Sequence, residues 1–367
     1  MYAYILRRLL LVIPTLFVIM LLNFAVIQAA PGGPIDQIIS QLKGDAPGAL
    51  QRVSGGAGDL TGGSENRAAS SGDNQTRASR GLPPEFLAQL EAQFGFDKPW
   101  YERFFTMIVN YLQFDFGTSY FTDRTVIDLI LDKMPVSISL GLWTTIITYL
   151  VAIPLGIRKA IREGSQFDAW TSAVLFAGYA IPNFLFAVLL IILFAGGQYF
   201  DWFPLRGLVS ENFDDLTLWG KIVDYFWHLA LPLTAMIVGA FTTLALLTKN
   251  SFLEEINKQY VITARQKGLD EGRILYGHVF RNAMLIVIAG FPAAFISILF
   301  TSSLLIEVIF SLDGLGALGF EAAINRDYPV MFATLYIFTL LGLIMGLIGD
   351  LMYVAVDPRI DFEKREG

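Results

Sequence analysis

Polar and ionisable residues inside long apolar stretches are the groups in this sequence best placed to do chemistry, because each is costly there without a partner. They are Asn23, Tyr179, Asn183, Glu307 and Asp350. Pro154, Pro182, Pro232 and Pro292 lie in similar stretches. Each removes a backbone donor and frees a carbonyl one turn earlier, which can kink a helix. For any single proline, a packing kink satisfied by neighbouring helices is the simpler alternative. Nucleophilic and metal chemistry are poorly served. Cysteine is absent and the histidines are two, His228 and His278. Disulfides and Cys/His nucleophiles are therefore excluded, and a Cys/His metal site nearly so. No catalytic or metal-ligating set is expected.

The elements that must position these residues are membrane helices. Of 367 residues, 54% are hydrophobic and 16% charged, with mean hydropathy +0.54. An ordinary soluble domain carries about 25% charged residues. Six segments of about 20 residues or more read as spans: Ile5–Gln28, Met134–Ile157, Ser172–Ala195, Leu229–Thr248, Ala283–Ile306 and Val330–Val356. At 1.5 Å per residue each covers a core of about 30 Å, and without water the backbone must be helical. The expected fold is all-α, with the first span retained rather than cleaved. Fourteen Lys and Arg fall on the side of the N-terminus, among them Arg8, Arg158, Lys159 and Lys249. The two short loops opposite hold Arg206, Lys221 and Arg326. Both termini are thus expected in the cytoplasm. Nothing points to nucleic acid.

The expected organisation is 1–30 for the N-terminal end and first span, and 31–133 for an external segment. Residues 134–357 form a five-helix core and 358–367 a cytoplasmic tail. Within the external segment, the Gly/Ser-rich 54–80 is too polar to offset chain entropy and reads as disordered. The stretch 83–133 reads as helical. Glu85–Phe94 is one helix. Tyr101, Phe104, Phe105, Ile108 and Leu112 form the stripe of a second, capped by Asp97 with Pro99 in its first turn. Asp123 caps a third short helix ending at Met134. These pack on the outer face of the bundle or dock a soluble partner.

The cytoplasmic loop 249–282 has its own pattern. Ser251 and Glu254 fit a capping box, and Phe252, Ile256, Tyr260 and Ala264 form one apolar stripe. Gly268 suits the left-handed conformation that ends a helix, and Asp270 suits the cap of the next. Small residues Thr263 and Ala264 stand beside the cations Arg265 and Lys267. Such a bent, short element can carry rigid-body motion to two spans; an ordinary solvated loop is the alternative.

The run Tyr260-Val261-Ile262-Thr263-Ala264-Arg265-Gln266-Lys267-Gly268-Leu269, followed by His278-Val279-Phe280-Arg281-Asn282-Ala283, resembles the EAA loop of bacterial binding-protein-dependent ABC importers. It is similar to the peptide/nickel branch, with Gln266 where Ala is common. Ala30–Pro34, Asp115–Gly117, Arg326–Pro329 and Asp357–Arg359 resemble further features of that branch. Phe200–Gly207, Leu247–Glu254, Val356–Phe362 and the Gly/Ser-rich insertion resemble its Yej type. The resemblance implies a type I importer permease fold and ATP-driven import of peptides, with peptide antibiotics such as microcin C as a further expected cargo, by alternating access from periplasm to cytoplasm. It implies a bacterial inner-membrane complex in the lipid bilayer, with a homologous second permease and a periplasmic peptide-binding protein. A cytoplasmic ATPase, with two fused nucleotide-binding domains, would hold ATP and Mg. The chain has no GxxxxGK[ST] and is expected to bind no cofactor and be no enzyme. Tyr260, Thr263, Ala264, Arg265, Lys267, Gly268 and Leu269 would couple to that ATPase. Tyr179, Pro182 and Asn183 would line the pathway, where freed carbonyls bind peptide backbone. Glu307 and Phe310 would stand at an outer gate, with Glu307 paired to Arg326 or binding a peptide amine. The rivals are an ion-coupled secondary transporter, which would show inverted repeats and paired mid-membrane carboxylates, and a non-transporting scaffold.

Overall fold

Long apolar runs fold as helices here, and the computed structural model describes residues 2–29, 96–197, 199–297 and 303–356. The expected disordered stretch 54–80, the Glu85–Phe94 helix and the tail 358–367 lie outside these residues. The described helices are α1 (Tyr2–Ala29), α2 (Trp100–Leu112), α3 (Val126–Ile161), α4 (Gln166–Ala180), α5 (Asn183–Phe194), α6 (Leu218–Ile256) and α7 (Gln259–Gln266). Then come α8 (Glu271–Ile274), a π turn at Leu275–Val279, α9 (Phe280–Ala283), α10 (Leu285–Ser297), α11 (Ser303–Ile309), α12 (Leu315–Asn325) and α13 (Tyr328–Val356). Helices α1, α3, α6 and α13 are each long and apolar enough to cross a membrane. The number reaches six if two bent pairs, α4 with α5 and Glu271–Ala283 with Leu285–Ile296, each make one span.

The chain divides into two compact units. One comprises Pro14–Ile130 and Leu318–Ile337. Its centre is aromatic: Phe104 of α2 packs edge-on against Phe17 and meets Phe24 at 5.3 Å, and Phe24 stacks on Phe332. Three expectations change here. Asp97 does not cap α2; Pro99 holds the cap position with no side-chain bond, since its fixed φ already suits a helix start. Of the expected stripe only Phe104 is buried, while Tyr101, Phe105 and Leu112 are exposed. Asp123 caps nothing; it adopts φ 50°, and the Thr125 hydroxyl instead accepts from the Asp128 amide at 3.2 Å. The helix begun there runs unbroken through Met134 to Ile161, so no separate short helix exists.

The other unit comprises Met1–Ile13, Leu131–Ala317 and Phe338–Gly367. Leu140, Ala187, Leu229, Met236 and Phe310 belong to one buried apolar cluster, and Ala152, Leu175, Ala245, Phe252, Val261 and Ala283 to a second. Asp350 of α13 accepts from the Tyr4 hydroxyl at 2.8 Å and pairs with Arg8 at 2.6 Å, so it serves as a helix-to-helix acceptor. His228 is buried and its Nδ1 lies 2.9 Å from the Asp224 carbonyl, a local structural bond.

Candidate functional site

The loop after α6 is built by two breaks. The expected capping box at Ser251 is absent, because α6 continues through it to Ile256. Buried contacts hold the helix together past that point, and the Ser251 hydroxyl donates across to the Ala283 carbonyl at 2.5 Å. The expected single stripe is consequently split: Phe252 and Ile256 lie on α6, Tyr260 and Ala264 on α7. The first break falls at Asn257–Lys258. There the Glu255 carboxylate accepts from Lys258 Nζ and from the Tyr260 hydroxyl at 2.7 Å, folding the start of α7 against the last turn of α6. Burial, then that hydrogen bond, raise the Tyr260 hydroxyl pKa; the bond to Glu255 raises that of Lys258.

The second break is at Gly268. Its φ is +80°, a conformation that strains any residue with a Cβ. The Gly268 amide donates to Arg265 O at 2.9 Å and the Leu269 amide to Ala264 O at 3.3 Å, closing α7. The Asp270 carboxylate then accepts from the Gly272 amide at 2.9 Å and caps α8. Across the turn, Arg265 grips Glu271 with two parallel bonds of 2.6 and 3.1 Å. That grip lowers the Glu271 pKa and raises that of Arg265. The sequence pattern gave no reason to pair these two.

The expected coupling residues therefore divide by face. Ala264 is buried, and Tyr260 and Leu269 are half-buried, so these three seat the element. Val261, not singled out from sequence, is fully buried beside them. Thr263, Arg265, Lys267 and Gly268 face outward.

The expected pathway residues sit at another break. Of the four prolines noted from sequence, only Pro182 stands at a helix end; Pro154, Pro232 and Pro292 lie within continuous helices. The third span is thus not a gently kinked rod, since α4 and α5 meet at 92°. Pro182 supplies no amide to continue α4, and its carbonyl begins α5 by accepting from the Phe186 amide at 3.1 Å. Tyr179, Pro182 and Asn183 together line a cavity of about 470 Å³. Thr144, Thr148 and Tyr149 of α3 and Thr243 of α6 line it too, and sequence had not marked them.

Glu307 and Phe310 are elsewhere. Phe310 is 2% exposed within the first apolar cluster. Glu307 is fully buried, accepting from the Ser137 hydroxyl and the Ala317 amide, both at 2.8 Å. Ser137 Oγ in turn accepts from the Leu315 amide at 2.8 Å. In this conformation the carboxylate has no surface to offer a guest.

One further charged cluster had no sequence signal as a cluster. Lys159, counted above among cytoplasmic cations, is fully buried. Its ammonium meets Asp168 Oδ1 at 2.9 Å, Asp168 O at 3.0 Å, Thr171 Oγ1 at 2.8 Å and Ser172 Oγ at 2.7 Å. Lys249 takes the other Asp168 oxygen at 2.7 Å. The three residues tie the end of α3, the first turn of α4 and the C-terminal part of α6. A local clue existed: Ser165 and Asp168 have capping-box spacing, and Ser165 Oγ accepts from the Asp168 amide at 3.3 Å.

Comparison with known proteins agrees with this architecture. Residues 152–362 match the model of the binding-protein-dependent transport system inner membrane component. The chain is 62% identical over its whole length, and the whole of the relative's, to the "Peptidoglycan transport system permease protein YejB" of Agrobacterium fabrum (strain C58 / ATCC 33970). It is 58% identical, with both chains fully covered, to the "Inner membrane ABC transporter permease protein YejB" of Escherichia coli O157:H7. It is 32% identical to the "Oligopeptide transport system permease protein AppB" of Bacillus subtilis (strain 168), covering 99% of this chain and 100% of that one. Among solved structures it matches the MetNI methionine ABC transporter at TM-score 0.47 and 16% identity, over 63% of this chain and 97% of that one. That last likeness is too weak to support an assignment alone. The chain belongs to the family of binding-protein-dependent transport system inner membrane components, the multi-pass permeases of ABC importers.

Proposed function

We propose that this permease carries peptides inward across a bacterial inner membrane, driven by a separate cytoplasmic ATPase. The observation that carries the reading is the α7–Gly268–α8 element. It has a buried underside of Val261 and Ala264, an outward face of Thr263, Arg265 and Lys267, and a fixed bend at φ +80°. It directly follows the 39-residue α6, so a force on the loop is delivered to a spanning helix. Peptide as cargo is supported by the relatives' printed names: one names oligopeptides and another peptidoglycan, a polymer with short peptide stems. The complex contains a homologous second permease and receives cargo from a periplasmic binding protein. The ATPase, with two fused nucleotide-binding domains, holds the ATP and Mg. Both termini face the cytoplasm, in keeping with the excess of Lys and Arg on that side.

Co-purification tests this. The wild-type chain is expected to retain the ATPase in detergent. Deleting Tyr260–Gly268, or replacing Gly268→Pro, is expected to release it, because proline cannot adopt positive φ. Uptake that persists after ATP depletion, with a proton gradient intact, would refute the reading in favour of an ion-coupled carrier.

A further inference from the structure

The cavity at the α4–α5 bend has a chemical character. Its wall is mostly apolar, with Ile181, Met236, Leu244 and Val287 among its residues, and into it are set the hydroxyls and amide of Thr144, Thr148, Tyr149, Tyr179, Asn183 and Thr243; among the described residues no charged side chain lines it. Two of these polar groups lack partners among the described residues. Thr148 is 2% exposed and its hydroxyl is unbonded. The Asn183 amide makes no side-chain hydrogen bond, although it lies close against the backbone of Gly239. Buried polar groups are nearly always satisfied, so the buried, unpaired Thr148 hydroxyl, in the same cavity as the half-buried Asn183 amide, marks the place of a missing partner. The volume, about 470 Å³, is within the range of sites that enclose small molecules.

We infer that this cavity is a cargo-contact site that binds the neutral main chain of an extended peptide and does not read its charge. The inference rests on the peptide reading above and assigns Thr148, Asn183 and Thr243 to the site. A peptide backbone presents one donor and one acceptor per residue. Stripping water from them in an apolar span costs several kcal/mol per group unless they are replaced. Hydroxyl and amide side chains both donate and accept, so they replace water for either group. A lining without charge gives no preference between acidic and basic side chains on the cargo. Selection by charge, where it occurs, then belongs to the partner that delivers the peptide.

The test uses the assembled importer in proteoliposomes, with saturating binding protein and three peptides of equal length and net charge −1, 0 and +1. Wild-type uptake per peptide is the reference for each. Asn183→Asp is expected to raise the cationic-to-neutral uptake ratio about tenfold and Asn183→Lys to lower it by a similar factor. That is the effect of one charge acting over roughly 12 Å at an effective dielectric constant of about 20. Thr243→Asp, at an exposed lining position, is expected to act like Asn183→Asp and guards against a folding fault at Asn183. Ratios unchanged in all three variants, at wild-type uptake rates, overturn this assignment alone. A wild-type complex that moves none of the peptides overturns the peptide reading, and this inference with it.

Discussion

Breaking the Lys159–Asp168–Lys249 cluster has a cost that follows from its burial. Asp168→Asn removes the shared carboxylate and leaves the fully buried Lys159 ammonium beside Lys249, which is 14% exposed. Both ammonium groups lie within 2.9 Å of that carboxylate, one on each oxygen. Their separation is therefore at most about 8 Å, and at an effective dielectric constant near 20 their repulsion is about 2 kcal/mol. Desolvation of the orphaned Lys159 adds to this, in line with roughly 3–5 kcal/mol for removing one partner of a buried pair. Lys159→Met should cost less, because Asp168 keeps Lys249 and the bond from the Gly164 amide. The double variant Lys159→Met with Asp168→Leu should recover much of the loss, since an apolar pair of similar volume needs no counter-charge. Thermal unfolding of the purified complex, followed by size-exclusion fluorescence, reads this order. Asp168→Asn is expected to lower the midpoint by roughly 6–20 °C on the scaling for domains of 150–250 residues. A shift under 2 °C for Asp168→Asn, or a double variant worse than the sum of the singles, would refute the reasoning.

Other outcomes follow from single contacts. Gly314→Ala would set a methyl group 2.3 Å from Glu307 Cδ, so the buried carboxylate must move; it is expected to lower the unfolding midpoint more than Gly277→Ala, where no atom lies within 4 Å. Equal shifts would show that Glu307 is not held there. Ser251→Ala removes the donor to Ala283 O and is expected to cost about 1 kcal/mol, read as faster hydrogen exchange in residues 280–284. Burial raises the Asp327 carboxyl above its ordinary value of 3.8, against the lowering effect of bonds from Ser119 and the Tyr120 amide. A raised folded-state pKa means stability is greatest below pH 3.8 and falls as pH rises through the folded value. Exchange protection of Tyr120–Thr122, corrected for intrinsic rates, should therefore fall as pH rises above 3.8, and Asp327→Asn should flatten the profile. Protection that rises with pH would contradict this.

Local chemistry explains which parts of the loop were readable in advance. Gly268 and Asp270 act within four residues of chain, through φ and a side-chain-to-amide bond, so their types suffice to place the turn. Ser251 has the same kind of local signal, yet it is overridden because α6 is held past it by long-range packing. The proline at 182 was marked from sequence as a helix breaker, but so were three others that the surrounding helices absorb. Which proline breaks a span depends on whether neighbouring helices leave room for the freed carbonyl, and that is not a local property. The cavity residues Thr144, Thr148 and Thr243 look like ordinary span residues until α4 and α5 turn away from one another at 92°.

By itself the sequence determined that this chain lives in a bilayer, because segments of twenty apolar residues have no other stable solution than a helix in lipid. It also determined the sharp turn at Gly268, through conformational freedom that only glycine has there. Tertiary structure decided the charges. Lys159 reads from sequence as one more cytoplasmic cation, and its fully buried pairing with Asp168 exists only because α3, α4 and α6 converge. It likewise decided that Glu307 is a buried brace and Phe310 a core residue in this conformation. The physical reason is range: helix formation and turns depend on neighbours within a few residues, while the partners of a buried charge lie as far as 208 residues away.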